Sequence, residues 1–347
     1  MKSILITGGC GYFGSNLVHY WSNKYPEDTI VVLDALTYAG KLSNVFKGNY
    51  HLSTFEWKGW AWDKYTSSNL PNVVIIPGRV EDFNILSAIS QAYSIELVAH
   101  LAAESHVDNS LKNALPFIKT NVEGTFQVLS ICKEKSIPLI HVSTDEVLKH
   151  YAPQYCDHDE PNFAMCRVAE DGVLAPKNPY SASKAAAEML CQAYRSNFSM
   201  PVTVIRPTNL AGPENQHKEK FLPKAITNLL ASAKVPLYGK GSECRNWLYV
   251  DDACRALDLI ISLDKRDDIY HISPNNEISN KDLLKKVLDR LDISWEDGVE
   301  LVPNRLGHDP FYSLDSSKIR SLGWAPTPLD VILDKTIQYY KDKLSGQ

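Results

Sequence analysis

No stretch of this 347-residue chain approaches the roughly 18 continuous apolar residues of a membrane-spanning helix, so no membrane partner is expected. The opening segment, Met1-Lys2-Ser3-Ile4-Leu5-Ile6-Thr7-Gly8, has too short an apolar run for a secretory signal. Neither sign of charge dominates. Lys and Arg total 36 against 41 Asp and Glu, a net charge of −5, which argues against a nucleic-acid partner or an anionic membrane surface. The seven cysteines (Cys10, Cys132, Cys156, Cys166, Cys191, Cys244, Cys254) are scattered, with no Cys-x-x-Cys. Such a set excludes a disulfide framework or a zinc site as the expectation and suits reduced thiols in a cytoplasmic protein. Internal repeats and low-complexity tracts are lacking too. What remains is an ordinary globular balance, 44% hydrophobic and 22% charged, in a chain long enough for a large core and two lobes.

Short apolar runs alternate with helical patterns through the first two hundred residues. Ile4-Leu5-Ile6-Thr7, Thr29–Leu33, Val73–Ile76, Leu97–Leu101, Leu139–Ser143 and Val202–Arg206 read as buried strands. Helical spacing fills Tyr12–Tyr25, Phe83–Tyr93, Phe117–Lys135 and Ser181–Asn197. This alternation predicts an α/β fold, a doubly wound parallel sheet. Beyond Arg206 prolines, glycines and short mixed elements take over. The expected division is a dinucleotide-binding domain over residues 1–205 and a smaller mixed lobe over 206–347, with some chain returning to the first. Residues 51–72 read as a long surface flap tied down by Trp57, Trp60 and Trp62.

Between the first strand and first helix lies Thr7-Gly8-Gly9-Cys10-Gly11-Tyr12-Phe13-Gly14. Glycines at 8, 11 and 14 let backbone approach a pyrophosphate held on the helix N-terminus. Asp34 closes the second strand, where an acid accepts from the adenosine ribose hydroxyls and repels a 2′-phosphate, so NAD is the expected cofactor.

Farther on, Asn178-Pro179-Tyr180-Ser181-Ala182-Ser183-Lys184 places Tyr180 and Lys184 four apart, on one helical face. An ammonium beside a phenol favours the phenolate, a base for a sugar hydroxyl. Upstream, Ser143-Thr144-Asp145-Glu146 adds a hydroxyl and two adjacent carboxylates. Neighbouring carboxylates cannot both ionise cheaply, so one proton is retained and the pair supplies one acid and one base. Neighbouring residues on a regular strand point to opposite faces, so the pair must lie just past the strand end.

With these segments in place the chain resembles the extended short-chain dehydrogenase/reductase family, and within it the nucleotide-sugar 4,6-dehydratases that act on dTDP-glucose. The matching segments include Asp34–Gly40, His100–Asp108, Asn121–Thr125, Ser143–Val147, Pro179–Ala185, Tyr238–Gly241, Arg245–Asp252, Arg305–Asp309 and Asp315–Ile319. The Thr-Asp-Glu triplet separates this group from relatives that epimerise C4, which need no acid and base at C5 and C6. The resemblance implies an NAD-retaining lyase that turns a nucleotide-diphosphate hexose into a 4-keto-6-deoxy sugar. It implies that Tyr180 takes the C4 hydroxyl proton, Thr144 hydrogen-bonds the C4 oxygen, Glu146 removes the C5 proton and Asp145 protonates the departing C6 hydroxyl. Tyr12, Phe13, Thr37, Leu101, Ala102, Ala103 and Ser143 are implied cofactor contacts. Ser105, Asn209, Lys220, Arg245 (a diphosphate clamp) and Asn276 are implied substrate contacts. A homodimer joined through Phe117–Lys135 and Ser181–Asn197 is implied as well. His106 is read as a packing or hydrogen-bonding residue, since no partner has ligand spacing, and no metal is expected. The chain departs from the family pattern at Leu148-Lys149, at Gly78-Arg79, where the family carries Gly-Asp, and at Leu210-Ala211; residues 148–176 match poorly. The departures leave the nucleotide base (dTDP, UDP or another) and the exact hexose open.

Overall fold

The computed structural model describes residues 2–150, 163–214, 218, 220–263, 267–304 and 309–345. Residues 151–162 of the poorly matching stretch, Cys156 among them, lie outside the described residues, as do Arg305, Leu306, Gly307 and His308. Nine strands make the main sheet. Eight are β1 (Ser3–Thr7), β2 (Thr29–Asp34), β3 (His51–Trp57), β4 (Trp60–Ser67), β5 (Leu70–Pro77), β6 (Leu97–His100), β7 (Leu139–Val142) and β8 (Val202–Pro207), and the ninth is Ile269–Ile272. Their order across the sheet is Ile269–Ile272, β8, β7, β6, β1, β2, β5, β4, β3. The first seven pair in parallel. Their continuous Ile, Leu and Val runs follow from helices covering both faces.

Residues 51–72 are not a flap. β3 and β4 form an antiparallel hairpin that extends the sheet beyond β5. The alternation in this stretch is carried by aromatics: Phe55 is buried against Trp62 and Tyr93, with Trp60 stacked outside on Trp62. Polar residues between the rings hide a strand pattern that only the neighbouring edge of β5 completes.

One face of the sheet packs on the helix Tyr12–Lys24 and the helix Val250–Ile261 through Leu17, Trp21, Leu257 and Ile260. The other packs on Phe83–Ala92, Gly124–Lys135 and Pro179–Phe198 through Ile85, Val128 and Cys191. A separate core of Leu222, Ile226, Leu237, Leu284, Val287 and Ile337 belongs to the C-terminal part. Helix Val250–Ile261 and strand Ile269–Ile272 therefore carry chain from beyond Arg206 back to the sheet.

The strand order reverses between β1 and β6. From β1 the chain runs outward through β2 and β5, then crosses back to β6 on the other side. Ligands of open α/β sheets bind in the crevice that opens there, beyond the strands' carboxyl ends.

Candidate active site

A single cavity of about 510 Å³ occupies that crevice and runs from the first βα turn to the C-terminal lobe. Its glycine end is shaped by close backbone approach. Gly8 has φ +71°, and a Cβ there would lie 2.7 Å from the backbone of Ala102. A Cβ on Gly14 would strike the Gly8 carbonyl oxygen. The helix Tyr12–Lys24 starts at Gly11 with no side-chain cap, so its first N–H groups are left for an anion. Asp34, 7% exposed, accepts from the backbone N–H of Cys10 at 2.9 Å and of Leu36 at 2.8 Å. Burial raises its carboxyl, and those two N–H groups oppose the rise. Among the described ion pairs none involves Asp34, so its charge meets the cavity uncompensated. A glycine cradle, an open helix start and an unneutralised acid on the ribose side fit NAD and oppose a 2′-phosphate. Arg79 lines the cavity near Gly78 and Asp34, where the family pattern has an acid.

A buried relay anchors the opposite wall. Thr7 Oγ1 accepts from the Ala102 N–H at 3.2 Å and donates to His100 Nδ1 at 2.7 Å. His100 Nε2 then donates to Thr125 Oγ1 at 3.0 Å, since the Thr125 hydroxyl is itself spent on the Asn121 carbonyl at 2.6 Å. Burial and the nearby Lys184 charge push His100 down to about 3, so it stays neutral.

The helix expected over Phe117–Lys135 contains a widened turn at Ile118–Glu123, where the Gly124 N–H reaches back five residues to the Lys119 carbonyl. Such turns favour functional sites because they re-aim a side chain. Here Asn121, fully buried, holds the Glu104 backbone from both sides, at 2.8 and 3.0 Å, and donates to Ser183 Oγ at 2.8 Å. The loop carrying Glu104 and Ser105 is thereby tied to the helix carrying Tyr180.

That helix, Pro179–Phe198, begins with an Asn178–Ser181 capping box and Pro179 in its first turn. Tyr180 is 8% exposed and Lys184 is 3% exposed. Lys184 shares the helix face and the cavity wall with Tyr180. Its ammonium donates to the Val142 carbonyl at 2.7 Å, and burial lowers it to about 8. Burial, then the Glu146 carboxylate, pushes the Tyr180 phenol up, with the Thr144 hydrogen bond opposing. Four-residue spacing sets a shared face. Where the lysine's charge lands depends on the strand end beside it.

Just past β7, Thr144 begins the single 3₁₀ turn Asp145–Val147. Asp145 is 2% exposed. Its Oδ1 accepts from Thr144 Oγ1 at 3.1 Å, and its buried Oδ2 has no hydrogen-bond partner. Burial and the Glu146 charge raise its carboxyl to about 7. Glu146 is less enclosed. Burial raises it too, but Asn178 Nδ2 donates to its Oε2 at 3.2 Å, and Lys220 and Arg245 pull it down. The pair is thus graded by its surroundings: the Glu146 charge favours a proton on Asp145, while Asn178, Lys220 and Arg245 favour an ionised Glu146. Arg245 lies over the Tyr312 ring at 4.3 Å and donates to the Asp309 carbonyl at 2.8 Å.

The cavity wall brings together all but one of the residues expected from sequence. Gly8, Gly11, Tyr12, Phe13, Gly14, Asp34, Thr37, Leu101, Ala102, Ala103 and Ser143 line it toward the turn. Thr144, Asp145, Glu146, Tyr180 and Lys184 line its middle, with Ser105, Asn209, Lys220 and Arg245 toward the C-terminal lobe. Asn276 is absent from the wall. Its amide clamps the Trp247 backbone, at 2.9 Å to the N–H and 3.1 Å to the carbonyl, so the structure assigns it to packing the lobe. Conversely, Asn178, Asp309 and Tyr312 line the cavity and are not picked out by the sequence reading. Asn178 alone carries a local signal, an Asn directly before Pro at a helix start. Among the described residues no group of three His, Cys, Asp or Glu could hold a metal ion, and no helix is long and apolar enough to cross a membrane.

Fold and crevice together define a Rossmann-type dinucleotide-binding α/β protein. The chain belongs to the NAD dependent epimerase/dehydratase family, whose sequence profile matches residues 4–273. It is 35% identical over 339 residues to the low-salt glycan biosynthesis protein Agl12 of Haloferax volcanii, covering 97% of this chain and 98% of that one. It is 35% identical over 346 residues to a dTDP-glucose 4,6-dehydratase of Mycobacterium tuberculosis, covering 99% and 94%. The solved structure of dTDP-glucose 4,6-dehydratase from Bacillus anthracis in complex with NAD superposes with a TM-score of 0.85 at 32% identity, covering 99% of this chain and 98% of that one. NAD is the cofactor of this chain.

Proposed function

We propose that the chain is a nucleotide-diphosphate-hexose 4,6-dehydratase that retains its NAD through the cycle, most like those acting on dTDP-glucose. The observation that carries this reading is the graded carboxylate pair on the same wall as Tyr180, with Asp145 Oδ2 buried and unpartnered beside the cavity. An unpartnered buried acid oxygen is costly unless a ligand meets it. NAD, which the glycine turn of Gly8, Gly11 and Gly14 and the carboxyl of Asp34 would hold, would supply positive charge that favours the phenolate, a hydride acceptor for C4 and a hydride donor for C6. Tyr180 takes the C4 hydroxyl proton and Thr144 holds the C4 oxygen. The resulting 4-keto group acidifies C5–H, and Glu146 removes that proton. Asp145 donates its proton to the departing C6 hydroxyl, which leaves as water, and as hydride returns to C6 the proton held on Glu146 goes back to C5, which closes the cycle. Lys184, fixed on the Val142 carbonyl, keeps the helix turn under Tyr180 in place.

Incubation with dTDP-glucose, UDP-glucose and other nucleotide hexoses, read by mass spectrometry, tests the reading. A product lighter by one water is expected, and the arm that reacts identifies the base. A product of unchanged mass would make the chain a C4 epimerase; bound NAD with no turnover would make it a binding protein.

Within the same proposal residues 1–205 bind the cofactor, and residues 206–347 mainly hold the nucleotide sugar. The separate C-terminal core supports that division. A cytoplasmic location suits cysteines that are free wherever described. A homodimer is supported by apolar side chains left exposed on helices that pack side by side: Leu115, Ile118 and Phe126 on the stretch leading to Lys135, Met189 and Phe198 on the Tyr180 helix. Leu115→Asp together with Ile118→Asp is expected to turn a dimer into a monomer in analytical ultracentrifugation. A wild-type monomer would refute the assignment.

A further inference from the structure

We propose that His150 is a positioning residue for this reaction, a neutral imidazole strut that holds the Asp145–Glu146 turn against the Asp309–Ser313 segment on which Arg245 rests. The inference builds on the dehydratase reading and adds a residue with no part in the chemistry itself.

The imidazole spans two backbone groups. Its Nε2 lies 2.8 Å from the Asp145 carbonyl oxygen, and its Nδ1 lies 3.3 Å from the Ser313 nitrogen. A carbonyl only accepts, so Nε2 carries the proton. A backbone N–H only donates, so Nδ1 is a bare lone pair. Both partners are main chain, and between them they fix the tautomer. A second proton on Nδ1 would set two N–H groups against each other. Burial acts in the same direction and holds the ring below the usual histidine range. Asp309, which pulls it up, and Arg245, which pulls it down, are the charged side chains that act on it.

The strut connects the two halves of the site. The ring stands edge-on to Tyr312, with centroids 5.0 Å apart. Tyr312 donates to Asp309 Oδ2 at 2.7 Å, and Arg245 covers the Tyr312 face and donates to the Asp309 carbonyl. Lys177 pairs with the same Asp309 carboxylate. A group that pulls Arg245 therefore pulls the segment His150 leans on, and through it the carbonyl of the residue that carries the acid.

The Val147 end of the turn is held by the Ala175 N–H on the Val147 carbonyl at 2.9 Å, and its Asp145 end rests on His150. Asp145–Val147 is one 3₁₀ turn, closed by the Leu148 N–H on the Asp145 carbonyl at 3.2 Å and by a long 3.4 Å contact from the Glu146 N–H to Thr144 Oγ1. Asn178 steadies the Glu146 side chain. His150 is the side chain that steadies the Asp145 backbone.

The test uses the NAD-loaded enzyme and the nucleotide glucose, dTDP- or UDP-linked, that the panel identifies. His150→Phe keeps a ring against Tyr312 and removes both hydrogen bonds. His150→Gln keeps a donor that reaches the Asp145 carbonyl. Single-turnover absorbance of the reduced nicotinamide reads C4 oxidation, and deuterium uptake at C5 reads the carboxylate step. In His150→Phe, C5 uptake and kcat are expected to fall on the order of tenfold while C4 oxidation stays within about twofold, since a misplaced acid–base turn slows only its own step. His150→Gln is expected to recover to within about threefold of wild type. Equal loss of both steps in His150→Phe, wild-type behaviour of that variant, or an equal defect in Gln and Phe would each overturn the strut. If His150→Phe is not recovered folded, His150→Asn, too short to reach the carbonyl, takes its place with the same expected result. Failure of wild-type enzyme to turn over any nucleotide hexose would instead overturn the dehydratase reading.

Discussion

Tyr180→Phe is expected to lower turnover of the nucleotide hexose by about 10²–10⁴-fold, the range that a positioned acid–base group contributes, while NAD binding stays within about twofold. The phenol faces the middle of the cavity, and burial with the Glu146 charge holds its proton tightly when the groove contains protein alone. Loss of the hydroxyl removes the proton acceptor for C4 and leaves the glycine cradle and Asp34 untouched. Isothermal titration with NAD and a single-turnover nicotinamide assay separate the two effects. Wild-type turnover in the variant would remove Tyr180 from the mechanism. A parallel loss of NAD affinity would make it a packing residue, which its contact with Phe117 would then explain.

Glu146→Gln is expected to stall the cycle after C4 oxidation. Reduced nicotinamide should accumulate at a rate within a few-fold of wild type, while deuterium uptake at C5 falls by about a hundredfold or more, since an amide is no base. The amide should still meet Asn178 and fill the same space, so a stability change is not the expected cause. Undiminished uptake at C5 would refute the assignment. The partner acid sets the pH response. Asp145 must hold a proton to release the C6 hydroxyl, and its carboxyl sits at about 7. The protonated fraction is high below that value and falls as pH rises through it, so kcat is expected to decline on the alkaline side of neutrality. Burial raises Glu146 too, while Asn178, Lys220 and Arg245 favour its ionised form. Asp145→Asn should lose both the activity and that alkaline limb.

Much of this site was legible because its parts are local. A glycine turn after a buried strand, an acid closing the next strand and a Tyr–Lys pair at helical spacing each state a backbone geometry within a few residues. Asp34 and Tyr180 could be found for that reason. The hairpin of β3 and β4 was not, because its pattern of aromatics makes sense only beside β5. Asn276 illustrates a related cause: a polar side chain in a loop meets either a ligand or a neighbouring backbone, and here the Trp247 backbone takes up its amide.

Taken alone, the order of residues determined the alternating α/β architecture, the dinucleotide cradle and which side chains are proposed to react, since strand period, helix period and turn chemistry are short-range properties. Only the tertiary structure decided their charge states and aim. Desolvation and through-space partners raise the Asp145 carboxyl and tie Lys184 to Val142; they likewise turn Asn121 onto Glu104 and wedge His150 between two main chains. Some of those partners are neighbours in sequence, as Glu146 is of Asp145, and others are far along the chain, as Ser313 is from His150 at 163 residues; a pKa depends on distance in space.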